Sequence, residues 1–213
     1  MNEQRAADAA RARRDQTAQR THRPRERASR AVFRSQIRAE STGSDTVRFE
    51  GLASAYERSY EMYDIFGPYT EIVSAGAASQ TLARADLDVP LVLQHDQMRR
   101  IARTTNGTLL LSESSDGLHV EAPTLDMGDQ DVAYIVPKLR AGLIDEMSFA
   151  FRIVRGQWSP DYSEYRIEEF DLHRGDVAIV GYGANPYTEA GTRQRGVDLI
   201  TEAETRMLDY IRG

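Results

Sequence analysis

The stretch GLIDEMSFAF (residues 142–151) shows most clearly what kind of fold this chain adopts. From residue 147 onward, apolar side chains occupy every second position, which is the period of a β-strand that packs one face into a core. These apolar positions are Met147, Phe149, Phe151 and Ile153. The opposite face is small and polar, and it begins with Ser148. The stretch therefore predicts a strand whose second face leaves room for a substrate beside a hydroxyl group.

Short alternating or apolar segments flank this strand and predict a chain built mostly of β-structure. The predicted strands are residues 47–53, 69–73, 89–95, 100–105, 108–112, 118–125, 147–154, 162–170 and 176–180. Asn106-Gly107 and Asp116-Gly117 predict hairpin turns, since these pairs readily adopt the left-handed conformation of a tight turn. We expect a mainly β (α+β) fold, a compact β-barrel or sandwich with a few accessory helices.

Three helices are predicted around this β-structure. They cover residues 77–85, 129–141 and 200–211. In the second helix apolar residues recur at the spacing of one helix face, and Gly142 suits its C-terminal end. Pro137 should kink this helix or end it early, because proline lacks the backbone N–H.

Basic residues are concentrated near the N-terminus. Residues 1–40 hold 11 of the 27 basic residues and 5 of the 33 acidic ones, so the remainder has a net charge of −12. We divide the chain into a disordered Arg/Ala-rich arm (1–45), a folded domain (46–190) and a C-terminal tail with a short amphipathic helix (191–213). The acidic domain gives no reason to expect nucleic-acid binding, which would depend on the arm alone.

The sequence lacks the features of several protein classes. It contains no Cys, so disulfides, Cys-based metal sites and thiol nucleophiles are excluded. No apolar run approaches the roughly 18–20 residues that span a membrane. Glycine-rich phosphate loops and metal-binding motifs are missing as well, so we expect no cofactor, no metal and no membrane contact. What remains is a soluble, intracellular protein.

Few side chains could carry out chemistry in the folded part. His95 follows an apolar strand, where a side chain is held rigidly and stays within reach of a substrate. Ser148 is a weak nucleophile that needs an adjacent base, and His95 is the best-placed candidate. The residues alone equally allow a structural histidine and a solvent-facing serine. His119 follows the alternation of a solvent-facing strand residue, and we discount it.

A third group must orient the imidazole and stabilise its charged form. Asp176 stands at the edge of a predicted strand, and His173 lies three residues before it. An isolated carboxylate in so acidic a chain is commonly a solvated surface charge, so the residues leave the third group open.

Taken together, the segments resemble the prohead (capsid maturation) protease family of tailed bacteriophages over about residues 46–190. The series that carries the resemblance is FEGLA (49–53), EIVSAGA (71–77), LVLQHD (91–96), GTL (107–109), DGL (116–118), GLIDEMSFAF (142–151), FDL (170–172), DVAIV (176–180) and ANP (184–186). No single segment is specific, but their order and spacing are.

The resemblance implies a serine endopeptidase on a compact β-barrel, similar to the herpesvirus maturation protease. It implies that His95 is the general base and Ser148 the nucleophile. Asp176 stands where family members usually carry Glu, preceded by two extra residues. His173 is the alternative third member, because the herpesvirus relatives use a Ser-His-His arrangement.

The resemblance also implies the partners and the place of action. Such an enzyme cleaves the scaffold segment of the major capsid protein, and then itself, inside the prohead assembling in the bacterial host cytoplasm. Self-association is a further expectation. Three rival functions remain open: a non-catalytic capsid assembly or scaffolding protein on the same fold, a different hydrolase such as an esterase, and a nucleic-acid module based on the arm.

Overall fold

The computed structural model describes residues 3–19, 29–34, 38–41, 45–64 and 66–181. Its helices are α1 (Glu3–Gln19), α2 (Ser79–Leu82) and α3 (Gln130–Arg140). Its strands are β1 (Ser29–Arg34), β2 (Arg38–Ser41), β3 (Thr46–Ala55), β4 (Ser59–Asp64), β5 (Gly67–Val73), β6 (Pro90–Leu93), β7 (Asp96–Arg103), β8 (Leu110–Glu113), β9 (Gly117–Asp126), β10 (Glu146–Trp158) and β11 (Glu164–Val180). The prediction of a mainly β protein with few helices is confirmed.

The strands form two sheets. Seven of them follow the order β1-β10-β11-β5-β4, with β6 added to β11 and β7 added to β6. The other four follow the order β2-β3-β9-β8. Within the described residues these sheets do not close into a barrel, so the barrel that we predicted is not what the strand pairing gives. Where the chain passes between the sheets, β7 and β8, although consecutive, pair into different sheets.

The chain passes from one sheet to the other at the Asn106-Gly107 turn. We predicted a hairpin there, and that prediction is wrong, since β7 pairs with β6 and β8 pairs with β9. A 3₁₀ turn (Thr104–Asn106) and Gly107, at a φ of +72°, carry the chain from one sheet to the other. The hairpin at Asp116-Gly117 is confirmed, because β8 and β9 pair antiparallel across it.

Helix α3 begins and ends as its sequence predicts. The Asp129 side chain accepts hydrogen bonds from two backbone N–H groups of the first turn, and Gly142 follows the last turn at a φ of +65°. Its buried face consists of Val132, Ile135, Val136 and Leu139. Of the two effects predicted for Pro137, a kink or an early end, the early end does not occur, because the helix continues to Arg140 with its apolar face buried. The first predicted helix, residues 77–85, contracts to α2.

The two strands predicted at 162–170 and 176–180 are one strand, β11, interrupted by a bulge. Ala150 pairs with Asp176, but the next paired residue, Arg152, lies opposite Asp171. The four residues 172–175 therefore lie opposite a single residue of β10. The bulge contains the residues just before Asp176 that, in the sequence, left open which group orients the imidazole.

A close backbone approach fixes the bulge. A Cβ atom on Gly175 would lie 1.9 Å from the carbonyl oxygen of Ala150, so only glycine fits there. Arg174 adopts a positive φ of 62°, and its N–H donates to the carbonyl of Asp88 (2.8 Å). Because the bulge changes the alternation, Asp176 returns to the face of β11 that Ser148 occupies on β10.

The segment predicted as a disordered arm contains regular structure in its described parts. Residues 3–19 form α1, β1 pairs with β10, and β2 pairs with β3. Residues 182–213, which include the predicted C-terminal helix and residues 184–186, lie outside the described residues. No helix in the described part is both long and apolar enough to cross a bilayer.

Candidate active site

His95 lies in the two-residue turn that joins β6 to β7. Gln94 and His95 both have positive φ values, 55° and 58°, as in a tight hairpin turn. The N–H of Gln94 donates to the carbonyl of Ile179 (2.9 Å), which fastens the turn to β11. A histidine in the left-handed region is uncommon and is held there only by its surroundings. The turn therefore fixes the place from which the imidazole projects.

Asp176 is the partner of this imidazole. The Nδ1–H of His95 donates to Oδ1 of Asp176 at 2.6 Å, and both side chains are buried. The other oxygen, Oδ2, accepts from Nε2 of Gln97 at 2.7 Å. Arg100 in turn donates to Oε1 of Gln97 at 3.0 Å. The carboxylate is thus held at both oxygens, which fixes the His95 ring and its tautomer.

Ser148 lies on the same face of the sheet. It pairs with Ala178 on β11, which pairs in turn with Val92 on β6. The predicted alternation of β10 is confirmed, but Ser148 itself is not exposed to solvent, since it is 1% exposed. In the described part of the chain its Oγ has no hydrogen-bond partner. A buried hydroxyl without a partner is costly and marks a site that a ligand or a mobile group can complete.

The structure brings His95 and Asp176 into contact and leaves His173 elsewhere. Nδ1 of His173 accepts a hydrogen bond from the N–H of Asp88 (3.3 Å), on the bulged part of β11. Of the two candidates for the third group, only Asp176 reaches the imidazole.

Sequence reasoning missed Gln97. Its position two residues after a candidate base was the only available signal, because its role depends on how β7 folds back along β6. Sequence reasoning also missed that Ser114 and Asp116 surround the discounted His119 at the β8–β9 turn. There Nε2 of His119 lies 2.7 Å from Oγ of Ser114 and 3.1 Å from Oδ1 of Asp116, on the protein surface.

The buried group has the parts that nucleophilic catalysis needs. The carboxylate occupies Nδ1 of His95, and in the described chain Nε2 makes no hydrogen bond, so that nitrogen is available to accept a proton. Ser148 and His95 are not hydrogen-bonded here. Such bonds are often long before a substrate binds. Among the described residues, no cluster of His, Asp and Glu side chains could hold a metal ion.

Comparison with known protein families gives a match over most of the chain. A family model described as Caudovirus prohead serine protease matches residues 34–202. No curated protein and no solved structure matches the chain. The matched range covers every strand from β2 to β11, and with them the buried serine, histidine and aspartate.

Proposed function

The chain belongs to the Caudovirus prohead serine protease family, and we propose that it is a serine endopeptidase that cleaves the capsid protein during prohead maturation. Membership of the family gives the serine peptidase class and the setting of a phage capsid. The observation that carries the site assignment is the 2.6 Å contact between His95 Nδ1 and Asp176 on the sheet face that also holds Ser148.

The three residues have separate roles in this proposal. Ser148 Oγ attacks the scissile carbonyl while Nε2 of His95 takes its proton, giving a tetrahedral intermediate and a protonated imidazole. The imidazolium then protonates the amine as the C–N bond breaks, which leaves an acyl-enzyme. Water, activated by the same imidazole, attacks the acyl group and releases it from Ser148. Asp176 holds the ring and stabilises its charged form, with Gln97 fixing the second carboxylate oxygen.

Asp176 replaces the Glu that is usual at this place in the family that the sequence resembles. Aspartate is one methylene shorter, so its strand must approach the imidazole more closely. The bulge at 172–175 makes a closer approach possible, because it determines which residue of β10 pairs with Asp176 and on which face of the sheet Asp176 lies. In this proposal the two extra residues before Asp176 belong to the bulge that positions it, and they do not move it out of the site.

Burial of the serine limits when the enzyme can act. A substrate carbonyl cannot reach an Oγ atom whose residue is 1% exposed, so the proposed reaction requires a movement that uncovers Ser148. A protease that opens only inside an assembling shell would spare capsid protein beforehand. We propose that its partners are the major capsid protein with its scaffold segment and further copies of itself. Its place of action is the prohead within the host cell. The fold relation to the herpesvirus maturation protease belongs to the same proposal.

Intact-mass spectrometry on proheads assembled from the protein and the capsid protein of the same phage tests the assignment. We expect defined fragments with the wild type, none with Ser148→Ala, and the full set with the matched variant Ser114→Ala. Identical fragments from wild type and Ser148→Ala would remove Ser148 as the nucleophile.

A non-catalytic assembly protein is the second candidate, favoured by the burial of Ser148 and its missing hydrogen bond to His95. It predicts binding to capsid protein without fragments from any variant, including in assembled proheads. Fragments that depend on Ser148 would exclude it.

A further inference from the structure

Helix α1 is attached to the domain through one buried arginine. Arg13 is 3% exposed, although it belongs to a helix rich in charged and small residues. Its Nε and Nη2 donate to the two carboxylate oxygens of Asp64 at 2.7 and 2.8 Å, a bidentate pair. Such two-point contacts fit the planar fork of guanidinium and are stronger than single ones.

Backbone carbonyls and aromatic rings complete the surroundings of this guanidinium. Nη2 also donates to the carbonyls of Gly67 (2.7 Å) and Pro68 (3.2 Å). The guanidinium carbon lies 4.9 Å from the ring centre of Tyr69 and 5.3 Å from that of Trp158. We call the residues around it the Arg13 pocket. Its members are Asp64, Gly67, Pro68, Tyr69 and Trp158.

The domain holds the Arg13 pocket in shape without help from α1. Oδ1 of Asp64 accepts from the N–H of Phe66 (2.8 Å) and of Gly67 (3.2 Å) in the β4–β5 turn, so the carboxylate is already oriented. The Trp158 ring packs edge-on against Tyr69 at 5.1 Å. A preformed pocket of this kind requires little rearrangement when it binds a guanidinium.

Other residues of α1 also contact the domain: the guanidinium carbon of Arg14, an exposed residue, lies 5.9 Å from the ring centre of Tyr162. Among the described residues of α1 only Ala9 and Ala10 are buried together with Arg13. A Cβ on Gly67 would lie 3.2 Å from the Cβ of Ala9, so the helix passes close over the turn. Two alanines bury little apolar area, and Arg13 is therefore the residue on which the docking of the helix depends.

We propose that the Arg13 pocket is a guanidinium-specific receptor that reversibly docks the N-terminal helix of the same chain. Lysine is a poor replacement for Arg13, because an ammonium group lacks the planar fork that pairs with both oxygens of Asp64 beside the rings of Tyr69 and Trp158. The docked helix carries Arg5 and Arg11, both exposed, so docking fixes the place of this basic segment and release lets it move. The proposal is independent of the peptidase assignment, because the pocket is formed by β4, β5 and the end of β10 remote from Ser148.

Trp158 is the only tryptophan in the sequence, so its fluorescence reports on the pocket directly. We expect Arg13→Ala and Arg13→Lys to shift Trp158 emission to longer wavelength in the full chain and to expose residues 3–19 to proteolysis. Arg11→Ala, an exposed arginine of the same helix, is the matched control and should leave both readouts unchanged. Wild-type behaviour of Arg13→Lys would overturn the specificity for guanidinium.

A peptide of residues 2–19 added to full-length Arg13→Ala keeps the test independent of any folding defect. We expect the peptide to restore the emission of Trp158, and the same peptide with Lys at position 13 to bind about tenfold more weakly or worse. Equal binding of both peptides would overturn the proposal. A wild-type emission that depends on protein concentration would overturn docking within one chain, because the helix would then come from another copy.

Discussion

The described residues include two groups of a serine, a histidine and an aspartate, and the two differ in the features that matter for catalysis. The buried group is Ser148, His95 and Asp176, and the surface group is Ser114, His119 and Asp116. In the surface group all three side chains are in direct contact. In the buried group only the histidine and the aspartate are.

Proximity alone would select the surface group and not the buried group that we propose as the active site. At the surface, serine and aspartate share one imidazole nitrogen, so the aspartate competes with the serine for the atom that should accept its proton. In the buried group the aspartate takes Nδ1 and leaves Nε2 for the serine. The surface contacts also lie in water, where a charge pair is weak and screened. The distribution of contacts over the two nitrogens, together with burial, distinguishes a catalytic arrangement from a hydrogen-bonded turn.

The largest expected effect separates the two serines. Ser148→Ala should lower the cleavage rate of capsid protein by about 10³-fold or more, because the nucleophile is lost. Ser114→Ala should leave the rate unchanged. The same pair can be compared by mass after treatment with a fluorophosphonate, which labels activated serines. Label on Ser114 alone would show that the surface serine, and not Ser148, is the activated one.

The effect of Ser148→Ala on protein stability is a test that does not depend on cleavage. Oγ of Ser148 is buried without a hydrogen-bond partner in the described chain, so removing it deletes a desolvated group. Ser148→Ala should therefore raise the free energy of unfolding or leave it unchanged, by up to about 1 kcal/mol. Urea denaturation measures this. A marked loss of stability would show that the hydroxyl is structural.

The next largest expected effect on cleavage separates the two aspartates. Asp176→Asn keeps the shape but lets the amide stabilise the wrong imidazole tautomer, so cleavage should fall by about 10²–10⁴-fold. Asp116→Asn is the matched control and should leave cleavage intact. A wild-type cleavage rate for Asp176→Asn would show that another residue orients the imidazole, and His173→Gln would then be the variant to test.

Gln97 should show a smaller effect. It touches Asp176 and not the imidazole, so Gln97→Leu should slow cleavage by about tenfold while the fold is kept. A merely structural role would lower stability without altering the pH dependence of cleavage. We therefore expect the pH–rate profile of Gln97→Leu to shift, and Gln97→Glu, which places a second carboxylate beside Asp176, to shift it further.

The sequence predicted β3 and β5 to β11 but not β1, β2 or β4. It also predicted the face of Ser148, because alternation over residues 147–153 is a local signal. It could not predict the contact of Asp176 with His95, which depends on a bulge that a close backbone approach at Gly175 sets. It also assigned the wrong partner to β7, since a turn signal fixes a change of direction and not the neighbouring strand. Arg13 left no signal at all, because one buried arginine in a polar helix interrupts no periodic pattern.

The smallest expected effect is a titration in the surface group. Hydrogen bonds from Ser114 and then from His119 hold the pKa of Asp116 below its ordinary value of 3.8. Its contribution to the β8–β9 turn is therefore present above 3.8 and is lost as the pH falls through the lower folded pKa. An NMR titration of the carboxyl carbon should show this pKa rise toward 3.8 in Ser114→Ala, with cleavage unaffected. If cleavage changed with it, the surface group would be coupled to the buried one, and the separation between the two would no longer hold.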